Sequence, residues 1–493
     1  MRLSLVRDRI GAPTLVGDGT VEVTGCSFDS RDVVAGDLFC CVPGFTVDGH
    51  DFAAGAVGHG ATALLVEREL DIDVPQLVVG AVRAAMGPAA ALIFGDPSAD
   101  LDVVGVTGTN GKTTTAYMVE SICEAAGMRV GVSGTIETRI AGVAEAVRHT
   151  TPEAPEVQRL LARMRDAGCV VAVMEVSSHA LHQGRTDAVH YRVGAFTNLS
   201  QDHLDYHSDL ESYFAAKAML FEAERTDVAV LNVGDEYGRR LAATTDCATV
   251  VTYEVIAGDA AGSDADVSAR VTGVAPTSVA LELAGPFGST DVVLGLGGAF
   301  NAANAACAAA CAGALGVDAA AIGAGLSDLR AVPGRFEPVD AGQDFTVVVD
   351  YAHTPDGVAT VLDAARAVAT GAVVCVLGCG GDRDRAKRPL MAAAAARRSD
   401  HVVVTSDNPR SEDPQAIVAE MLPGMREGTA TYEVELDRAR AIELAIGRAR
   451  PGDVVVIAGK GHESGQEAGG TVTPFDDRLV ARDVLTRAAG GAA

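Results

Sequence analysis

The segment GVTGTNGKTTTAYMV, at residues 105–119, restricts the fold of this chain more than any other stretch. An apolar, β-branched run leads into a glycine-rich turn, and a helical pattern follows. A strand, turn and helix in this order bring backbone N–H groups together at the positive end of a helix, where phosphate binds. The first glycine of the usual phosphate loop is missing, because Val106 stands at its position. The segment still predicts a phosphate-binding loop in an α/β domain.

Individual residues of this loop have predictable roles. Gly108 and Gly111 let the backbone approach phosphate without an intervening Cβ atom. Lys112 would contact the terminal phosphates, and the hydroxyl of Thr113 would bind Mg²⁺. The alternative is a simple turn, but Gly-Lys-Thr-Thr directly after a β run favours phosphate binding. The predicted nucleotide contacts of the loop are Gly108, Thr109, Asn110, Gly111, Lys112, Thr113 and Thr114.

Composition limits the class of protein. A chain of 493 residues with 48% hydrophobic content suggests about three domains with substantial cores. No run of about 20 apolar residues offers a membrane span, and the N-terminus lacks a signal-peptide core, so we expect a cytoplasmic protein without a membrane partner. The ten scattered cysteines lack zinc spacing, and most are expected to be buried small hydrophobic residues. The net charge of −27 argues against a nucleic-acid partner.

Strands alternate with helices almost throughout, which predicts an α/β fold of three domains. We expect the boundaries in FGDPSADLD and LRAVPGRFEPV, giving units 1–98, 99–332 and 333–493. The Ala-rich segment GAFNAANAACAAACAGALG is typical of a buried helix. In the third unit, four β runs end in polar or glycine-rich loops. The carboxyl ends of parallel strands carry ligands in such sheets.

Two segments of the second unit carry possible substrate contacts. MEVSSHALHQGR follows a β run, so Glu175 could bind Mg²⁺ beside Thr113. The residues that could hold a polar substrate are Ser177, His179, Gln183 and Arg185. A helix cap by Ser177 or Ser178 is an equally good interpretation. In RHTTPEAPEVQRLL we expect Thr151 to be the N-cap of a helix whose N-terminus suits a sugar diphosphate.

The segment NLSQDHLDYHSDLESYFAAKAMLF combines histidines, acids and one unusual lysine. His203 and His207 have the spacing of a zinc pair on a helix, but the mixed pattern indicates a loop and disfavours zinc. Lys217 stands among apolar residues. Such a lysine usually extends its amine to solvent. The alternative is a carbamylated lysine that serves as an anionic ligand for a second Mg²⁺.

Three strand-end loops of the third unit form a possible amino-acid site. They contain GCGGDRDRAKRPLM, TSDNPRSEDP and AGKGHES. Guanidinium groups would bind the carboxylate of a zwitterion, and acids would bind its ammonium group. Each loop alone could be only a turn. The candidate residues are Arg383, Asp407, Asn408, Arg410, Gly459, Lys460 and Glu463.

These motifs together resemble the Mur ligase family over nearly the whole chain. In chain order, the resemblance rests on FDSR, DGHDF, GTNGKTT, HTTPE, EVSSHAL, NLSQDHLDYH, YFAAKAMLF, FNAANA, VPGRFE, VDYAHTPDG, GGDRDRAKRPLM, SDNPR and GKGHE. Each motif alone is weak, but the ordered set is specific. The family's phosphate loop is of the Gly-Thr-Asn-Gly-Lys-Thr type, which accounts for the missing glycine.

The resemblance implies a domain for the UDP end of the substrate, a central P-loop ATPase-like domain and a Rossmann-like domain for the incoming amino acid. It implies ATP and Mg²⁺ as cofactors, a UDP-N-acetylmuramoyl dipeptide as substrate, an acyl phosphate and then an amide. Lys112, His203 and Lys217 would be catalytic; Thr113 and Glu175 would hold one Mg²⁺, and His203 with carbamylated Lys217 the other. Further nucleotide contacts would be Asn301, Asn304, Arg335 and Asp350. The muramoyl substrate would contact Phe28, Ser30, Phe45, Thr46, Val47, Thr150, Thr151, Ser177, Gln183 and Arg185.

The same resemblance indicates the incoming amino acid. Asp407, Asn408, Pro409 and Arg410 form the Asp-Asn-Pro-Arg sequence of members that add meso-diaminopimelate. Arg410 would pair with the far carboxylate, Arg383 would be the second cation, and Gly459 and Glu463 would receive the ammonium end. The alternative for Arg410 is a turn cap, or a pair with Glu412 or Asp413. The open alternatives for function are a related ligase adding L-lysine, D-Ala-D-Ala or glutamate, and a P-loop kinase or switch. We expect a monomer.

Overall fold

The computed structural model describes residues 1–44, 47–147, 149–203, 206–256, 258 and 262–490. Strands and helices alternate through most of this range, and the strands form separate sheets with helices packed against them. The predicted three-domain α/β fold is confirmed. In the described part of the chain, no helix is long and apolar enough to cross a membrane.

The N-terminal domain is a small α/β layer. Its elements are α1 (Leu3–Ile10), β1 (Thr14–Val16), β2 (Gly25–Ser27), β3 (Asp37–Cys40), a 3₁₀ helix (Gly49–Phe52), α2 (Ala53–Gly58), β4 (Ala63–Val66), β5 (Gln76–Val78), α3 (Val82–Ile93) and a 3₁₀ helix (Pro97–Ala99) that leads to the next domain. The sheet has the order β1-β5-β4-β3-β2, with only the β1–β5 pair antiparallel. Leu3 and Val6 of α1 and Met86 of α3 pack in the core.

The central domain is built on the largest sheet. Its elements are β6 (Asp102–Thr107), α4 (Lys112–Ala125), β7 (Val130–Ser133), β8 (Glu137–Ile140), β9 (Val143–Ala146), α5 (Ala154–Asp166), β10 (Val171–Glu175), α6 (Ser178–His182), β11 (Tyr191–Phe196), α7 (Leu210–Ala218), a 3₁₀ helix (Met219–Phe221), β12 (Thr226–Asn232), α8 (Glu236–Thr244), β13 (Thr249–Ile256), β14 (Val267–Ala275), β15 (Ser278–Gly285), β16 (Gly288–Leu294), α9 (Asn301–Ala314) and α10 (Ala319–Asp328). The sheet order is β16-β15-β14-β13-β12-β11-β6-β10-β7-β8-β9. Strands β6, β10 and β11 are parallel neighbours, so their carboxyl ends meet beside the phosphate loop.

The Ala-rich helix α9 is buried, as predicted. It packs against α4 and against strands β13 and β14. Its small side chains let these elements approach closely, because alanine adds little volume at a helix surface.

The C-terminal domain is built on a doubly wound sheet that is parallel except for one short edge strand. Its elements are β17 (Glu337–Pro338), β18 (Thr346–Asp350), α11 (Pro355–Val368), β19 (Val373–Cys379), α12 (Lys387–Arg398), β20 (His401–Ser406), α13 (Pro414–Met425), β21 (Thr431–Val434), α14 (Arg438–Arg448), β22 (Val454–Ala458), β23 (Gly465–Ala468), β24 (Thr471–Pro474) and α15 (Asp477–Gly490). The order is β17-β18-β22-β19-β20-β21, with β23 and β24 as a separate hairpin. Strands β22, β19 and β20 are parallel neighbours, so the three predicted amino-acid loops leave the same edge.

Two local predictions have clear outcomes. Every cysteine is buried and free of disulfides, as expected. The prediction of Thr151 as a helix N-cap is wrong, because Glu153 is the N-cap of α5 and forms a capping box with Glu156. The Thr151 hydroxyl instead donates to Glu175 O at 2.8 Å and accepts from Ser177 N at 3.1 Å. It therefore joins the start of this segment to the end of β10.

Candidate active site

The phosphate loop connects the end of β6 to the first residue of α4. Gly108 and Gly111 have φ angles of 149° and 88°. A side chain at Gly108 would collide with Thr197 Oγ1, and one at Gly111 would collide with Asn304 Oδ1. Glycine is therefore required at both positions by backbone conformation and by close packing.

Lys112 begins α4 and turns back over the loop. Its Nζ donates to Gly108 O and Thr109 O at 2.9 Å each. Burial lowers the pKa of the amine, and the negative charges of Glu175 and Asp202 oppose that shift. The Lys112 amine thus lies over the loop carbonyls, with carboxylates nearby that favour its charged form. From this position it can contact phosphate oxygens.

A buried carboxylate stands beside Thr113. Glu175 Oε2 accepts from Thr113 Oγ1 and from Thr135 Oγ1, both at 3.0 Å, and Oε1 accepts from Thr135 N at 2.8 Å. Hydroxyl and carboxylate oxygens are suitable ligands for Mg²⁺. The part of Thr135 in this network was not predicted, because it follows β7 and reaches Glu175 only through strand pairing. Within the described ranges, no group of three or more His, Cys, Asp or Glu residues is arranged to hold a metal ion.

Lys217 lies inside the protein, so the interpretation that its amine extends to solvent is wrong. The residue is 1% exposed, and Nζ donates to Gly108 O at 2.8 Å. The amine also lies 4.5 Å from the centre of the Tyr213 ring. Burial, together with the positive charge of Lys112, holds the pKa of this amine well below its ordinary value. Lys217 therefore contacts the phosphate loop directly.

His203 precedes α7 in an irregular segment, as its sequence pattern indicated. Its φ angle is 55°, and its ring lies 4.8 Å from the ring of His179. Burial lowers the pKa of His203 to about 3 despite the neighbouring Asp202 carboxylate, so its imidazole is neutral at pH 7. The other histidine of the segment, His207, has its Nε2 atom 3.0 Å from Ser178 Oγ.

The predicted nucleotide contacts in α9 and the linker meet the same loop. Asn304 Nδ2 donates to Asn301 Oδ1 at 2.8 Å, and Asn301 Nδ2 donates to Gly297 O at 2.7 Å. Arg335 donates to Thr113 Oγ1 at 3.0 Å and stacks 4.5 Å from the centre of the Tyr351 ring. The linker thus contacts the phosphate loop directly.

Asp350 ends β18 beside this linker. Its Oδ2 accepts from Phe336 N at 2.7 Å. Burial raises the pKa of the carboxyl to about 6, although Arg335 opposes the shift. A second contact between the domains joins Asn110 Nδ2 to Asp356 Oδ2 at 3.2 Å. The contact from Asp356 was not predicted, since only the folded chain brings α11 to the phosphate loop.

Most of the predicted muramoyl-peptide contacts form one hydrogen-bonded group. Arg185 donates to Gln183 Oε1 at 2.8 Å and to Thr151 O at 3.1 Å. Thr150 Oγ1 lies 3.1 Å from Thr135 Oγ1. Ser177 is the N-cap of α6 and accepts from Ala180 N, as its alternative interpretation predicted. These side chains border the Glu175 network.

An unpredicted ion pair ties the N-terminal domain to this group. Glu153 contacts Arg83 of α3 at 2.9 Å and Arg185 at 3.1 Å. The predicted uridine contacts lie in the N-terminal domain: Phe28 packs against its core, the Ser30 carbonyl is 2.7 Å from His59 Nδ1, and Val47 is exposed. Phe45 and Thr46 lie outside the described residues.

A cavity of 420 Å³ separates the central and C-terminal domains. Its central-domain wall includes His179, Asp202 and His203. The three strand-end loops contribute the opposite wall, which includes Arg383, Asp407, Asn408, Arg410, Gly459 and Glu463. The structure therefore brings six of the predicted amino-acid residues together on the wall opposite His203, whereas the predicted Lys460 is fully buried.

Within the strand-end loops, the Asn408 side chain binds three protein groups. Its Oδ1 accepts from Lys460 Nζ at 3.1 Å and from Glu467 N at 3.0 Å, while Nδ2 donates to Glu463 at 2.7 Å. Lys460 also contacts Glu463 Oε2 at 2.8 Å. Asn408 and Lys460 therefore fix the position of the Glu463 carboxylate.

Arg410 has different partners from those its sequence suggested. Its guanidinium donates to Gly381 O at 2.7 Å and lies 3.6 Å from Glu467. The alternative of a pair with Glu412 or Asp413 is wrong. Glu412 binds the buried Arg388 at 2.7 Å, and Asp413 is the N-cap of α13. Arg383 donates to the neighbouring Asp382 O at 3.0 Å. Both guanidinium groups border the cavity.

A second buried arginine, Arg438, holds the strand ends themselves. It donates to Ser406 O at 3.1 Å and to Ala458 O at 3.0 Å, and it pairs with Asp477 at 2.7 Å. Both members of this pair are fully buried. Arg438 thus joins the last residues of β20 and β22, which directly precede Asp407 and Gly459. No local sequence signal distinguished it from the other arginines of the domain.

Comparisons with known proteins agree with this architecture. The family models "Mur ligase family, catalytic domain", "Mur ligase middle domain" and "Mur ligase, glutamate ligase domain" match residues 22–93, 106–312 and 334–461. The chain is 45% identical over 492 residues to UDP-N-acetylmuramoyl-L-alanyl-D-glutamate–2,6-diaminopimelate ligase of Geobacillus thermodenitrificans, covering 98% of this chain and 99% of that protein. The enzyme of the same name from Streptomyces coelicolor is 46% identical over 498 residues, with coverage of 99% and 97%.

A solved structure of a ligase of that name has a TM-score of 0.70 and 33% sequence identity, covering 99% of both chains. The similarity to these relatives extends over nearly the whole of each chain. This chain therefore belongs to the Mur ligase family, and Mur ligases are ATP-dependent ligases.

Proposed function

We propose that this enzyme joins meso-diaminopimelate to UDP-N-acetylmuramoyl-L-Ala-D-Glu, using ATP and an acyl-phosphate intermediate. The reaction would belong to the cytoplasmic synthesis of peptidoglycan precursors. The observation that carries the proposal is the shared cavity of 420 Å³ between the two domains. On one wall lie Asp202 and His203, near the phosphate loop. On the opposite wall lie Arg383, Arg410 and Glu463. ATP, an acceptor carboxylate and an amino acid can therefore meet at one place.

In the first step, an oxygen of the D-Glu carboxylate attacks the γ-phosphorus of ATP. The bond from that phosphorus to the bridging oxygen breaks, and its electron pair leaves with ADP. The two anions repel each other, so positive charge at the transferring group is the main catalytic requirement. Lys112 supplies such a charge from the start of α4, where backbone N–H groups add to it.

The remaining nucleotide contacts would come from around the loop. Gly108 through Thr114 would cradle the phosphates, and Asn301 and Asn304 would contact adenine beside Gly111. Arg335 and Asp350 would contact the nucleotide from the linker and the C-terminal domain. The contact of Arg335 with Thr113 supports this arrangement, since it joins the linker to the loop that would hold phosphate.

Two Mg²⁺ sites complete the proposal. Thr113 and Glu175 would hold one ion, because a buried hydroxyl and carboxylate 3.0 Å apart form a suitable oxygen donor set. His203 and a carbamylated Lys217 would hold the other. The unprotonated amine of buried Lys217 can attack CO₂, forming an N–C bond and releasing a proton to water. When bound, Mg²⁺ offsets the charge of the phosphates and the attacking carboxylate.

The muramoyl dipeptide would extend from the N-terminal domain to this centre. Its peptide end would contact Thr150, Thr151, Ser177, Gln183 and Arg185. The hydrogen bonds among these residues support a preorganised surface, and the Arg83–Glu153 pair joins it to the N-terminal domain. The uridine end would contact Phe28, Ser30 and the 45–47 segment.

In the second step, the amine of the amino acid attacks the acyl carbon. The amide bond forms, the amine loses a proton, and phosphate leaves with the electron pair of the C–O bond. Arg410 and Arg383 would bind the far carboxylate of diaminopimelate, whereas L-lysine has no such group. Asp407, Gly459 and Glu463 would receive the ammonium end, with Asn408 and Pro409 shaping the loop.

Further parts of the proposal concern the whole chain. We infer domain boundaries at 98/99, within the 3₁₀ helix Pro97–Ala99 that precedes β6, and at 332/333, between α10 and β17. A monomer suffices for the reaction, because all the proposed contacts come from one chain.

The proposal is tested by measuring ADP release with the UDP-muramoyl dipeptide and a panel of amino acids. We expect ADP release to depend on both the dipeptide and meso-diaminopimelate. Amino-acid-independent transfer or release of phosphate would indicate a kinase or a nucleotide switch. Equal or greater stimulation by L-lysine, D-Ala-D-Ala or glutamate would assign a different ligase specificity.

A further inference from the structure

The hairpin of β23 and β24 lies outside every motif that predicted the active site, yet it contacts the proposed amino-acid site. Strand β24 is exposed along its whole length, and Val472 is 66% exposed. The hairpin therefore buries little apolar surface, and a two-stranded hairpin is marginally stable without other contacts. Specific hydrogen bonds to the rest of the domain must therefore stabilise the hairpin.

Those bonds reach the loop that follows β20. Gln466 Nε2 donates to Asp407 O at 2.7 Å, and Glu467 N donates to Asn408 Oδ1 at 3.0 Å. Arg410 is held from both sides of its backbone: its N–H donates to Glu467 O at 3.0 Å, and its carbonyl accepts from Gly469 N at 2.7 Å. The hairpin thus contacts three of the four residues from Asp407 to Arg410.

Arg410 needs such support because its backbone is unusual. Its φ angle of 54° lies in the left-handed region, where a residue with a Cβ atom is disfavoured. The two backbone bonds to the hairpin stabilise this conformation and set the direction in which the guanidinium leaves the chain. Glu467 Oε2, 3.6 Å from Arg410 Nε, adds a side-chain partner.

We propose that the β23–β24 hairpin is a positioning element of the amino-acid site, which fixes the loop from Asp407 to Arg410 so that the Arg410 guanidinium meets the far carboxylate of the substrate. The hairpin touches no reacting atom. It acts through this loop, and it therefore governs the affinity for a dicarboxylic amino acid and not the chemistry of phosphoryl transfer. This inference rests on the proposed use of meso-diaminopimelate.

A shortened hairpin tests the inference. Gln466 and Thr473 are paired across the two strands, so residues 467–472 can be replaced by Asn-Gly, which favours a two-residue hairpin turn. This variant keeps the Gln466–Asp407 bond and the Lys460–Gly465 bond, but it removes every hairpin contact to Arg410 and the bond from Glu467 N to Asn408. Val472→Thr in the full-length hairpin is the matched control, because it changes an exposed side chain only.

We expect KM for meso-diaminopimelate to rise by about twentyfold or more, while kcat and KM for ATP and the UDP-dipeptide change by less than about threefold. A KM for diaminopimelate within about twofold of wild type would overturn the inference. So would an equal rise in all three KM values, since that would indicate general damage. Wild-type enzyme that fails to use diaminopimelate would instead refute the proposed function.

A second variant covers the case in which the shortened chain does not fold. Gln466→Met preserves side-chain size and removes only the bond to Asp407 O. We expect about a fivefold rise in KM for diaminopimelate with KM for ATP unchanged. An unchanged KM for diaminopimelate in this folded variant would contradict the positioning role.

Discussion

Replacing Arg410 by alanine should selectively impair the use of meso-diaminopimelate. The guanidinium is 22% exposed and keeps its contact with Gly381 O, so it is oriented and partly desolvated before substrate binds. A carboxylate about 4 Å from such a charge gains about 4 kcal/mol at an effective dielectric constant of 20. Desolvation and competition from Glu467, which is 44% exposed, reduce this gain.

A remaining gain of about 3 kcal/mol corresponds to somewhat more than a hundredfold in kcat/KM. Arg410→Ala should therefore lower kcat/KM for diaminopimelate by at least about a hundredfold, and Arg410→Lys should recover only part of it, because lysine lacks the planar fork. The assay is amino-acid-dependent phosphate release at saturating ATP and UDP-dipeptide, with L-lysine as the comparison substrate. A loss below about tenfold, or an equal loss with lysine, would refute the assignment of Arg410 to the far carboxylate.

Four other substitutions address different parts of the account. Lys112→Ala should reduce ATP turnover by far more than tenfold while circular dichroism shows an intact fold; turnover within about tenfold of wild type would exclude a role at the phosphates. Lys217→Ala should lose activity, and added short-chain carboxylates should restore part of it; a fully active variant would remove Lys217 from the metal site. Asp350 has a pKa raised to about 6, so the folded state loses stability as pH rises from about 4 to 6. Asp350→Asn should therefore raise the free energy of unfolding at pH 7.5 by about 2 kcal/mol and flatten its pH dependence, which urea titrations at several pH values would detect. Arg438→Ala leaves Asp477 buried without its partner and should cost about 3–5 kcal/mol in the same titrations; a loss below about 1 kcal/mol would contradict the importance of this pair.

Features that depend on short segments of chain were predictable. The phosphate loop follows from glycine and lysine placed directly after a β-branched run, and α9 follows from its alanine content. The loops of the amino-acid site follow from the rule that parallel strands present ligands at their carboxyl ends. Each of these inferences requires only the order of residues and the geometry of one local unit.

Features that depend on distant contacts were not predictable. Thr135 reaches Glu175 only because β7 and β10 pair, and Arg438 is distinguished only by the two strand ends that it joins. The N-cap of α5 was misplaced because Thr151 is held by the end of β10, a contact that leaves Glu153 to cap the helix. Lys217 was ambiguous because its sequence neighbours do not reveal whether the amine faces solvent or the phosphate loop.

The role of the β23–β24 hairpin could not have been predicted for a related reason. Its sequence between Ser464 and Phe475 contains glycines and polar residues that are typical of any surface turn. Only the folded chain places its backbone against Arg410. The contacts that orient the proposed amino-acid site thus include the bond from Gln466 to Asp407, two residues that are 59 positions apart along the sequence.

The central claim is that one active site links ATP cleavage to the addition of a dicarboxylic amino acid. It is tested most directly by offering the enzyme ATP, Mg²⁺, UDP-N-acetylmuramoyl-L-Ala-D-Glu and equal concentrations of meso-diaminopimelate and L-lysine. Mass spectrometry of the UDP-linked products then compares the two tripeptides. The account predicts that the diaminopimelate product exceeds the lysine product by about a hundredfold or more, with one ADP formed per amide. Equal amounts of the two products, a majority of the lysine product, or ADP formed without either product would contradict it.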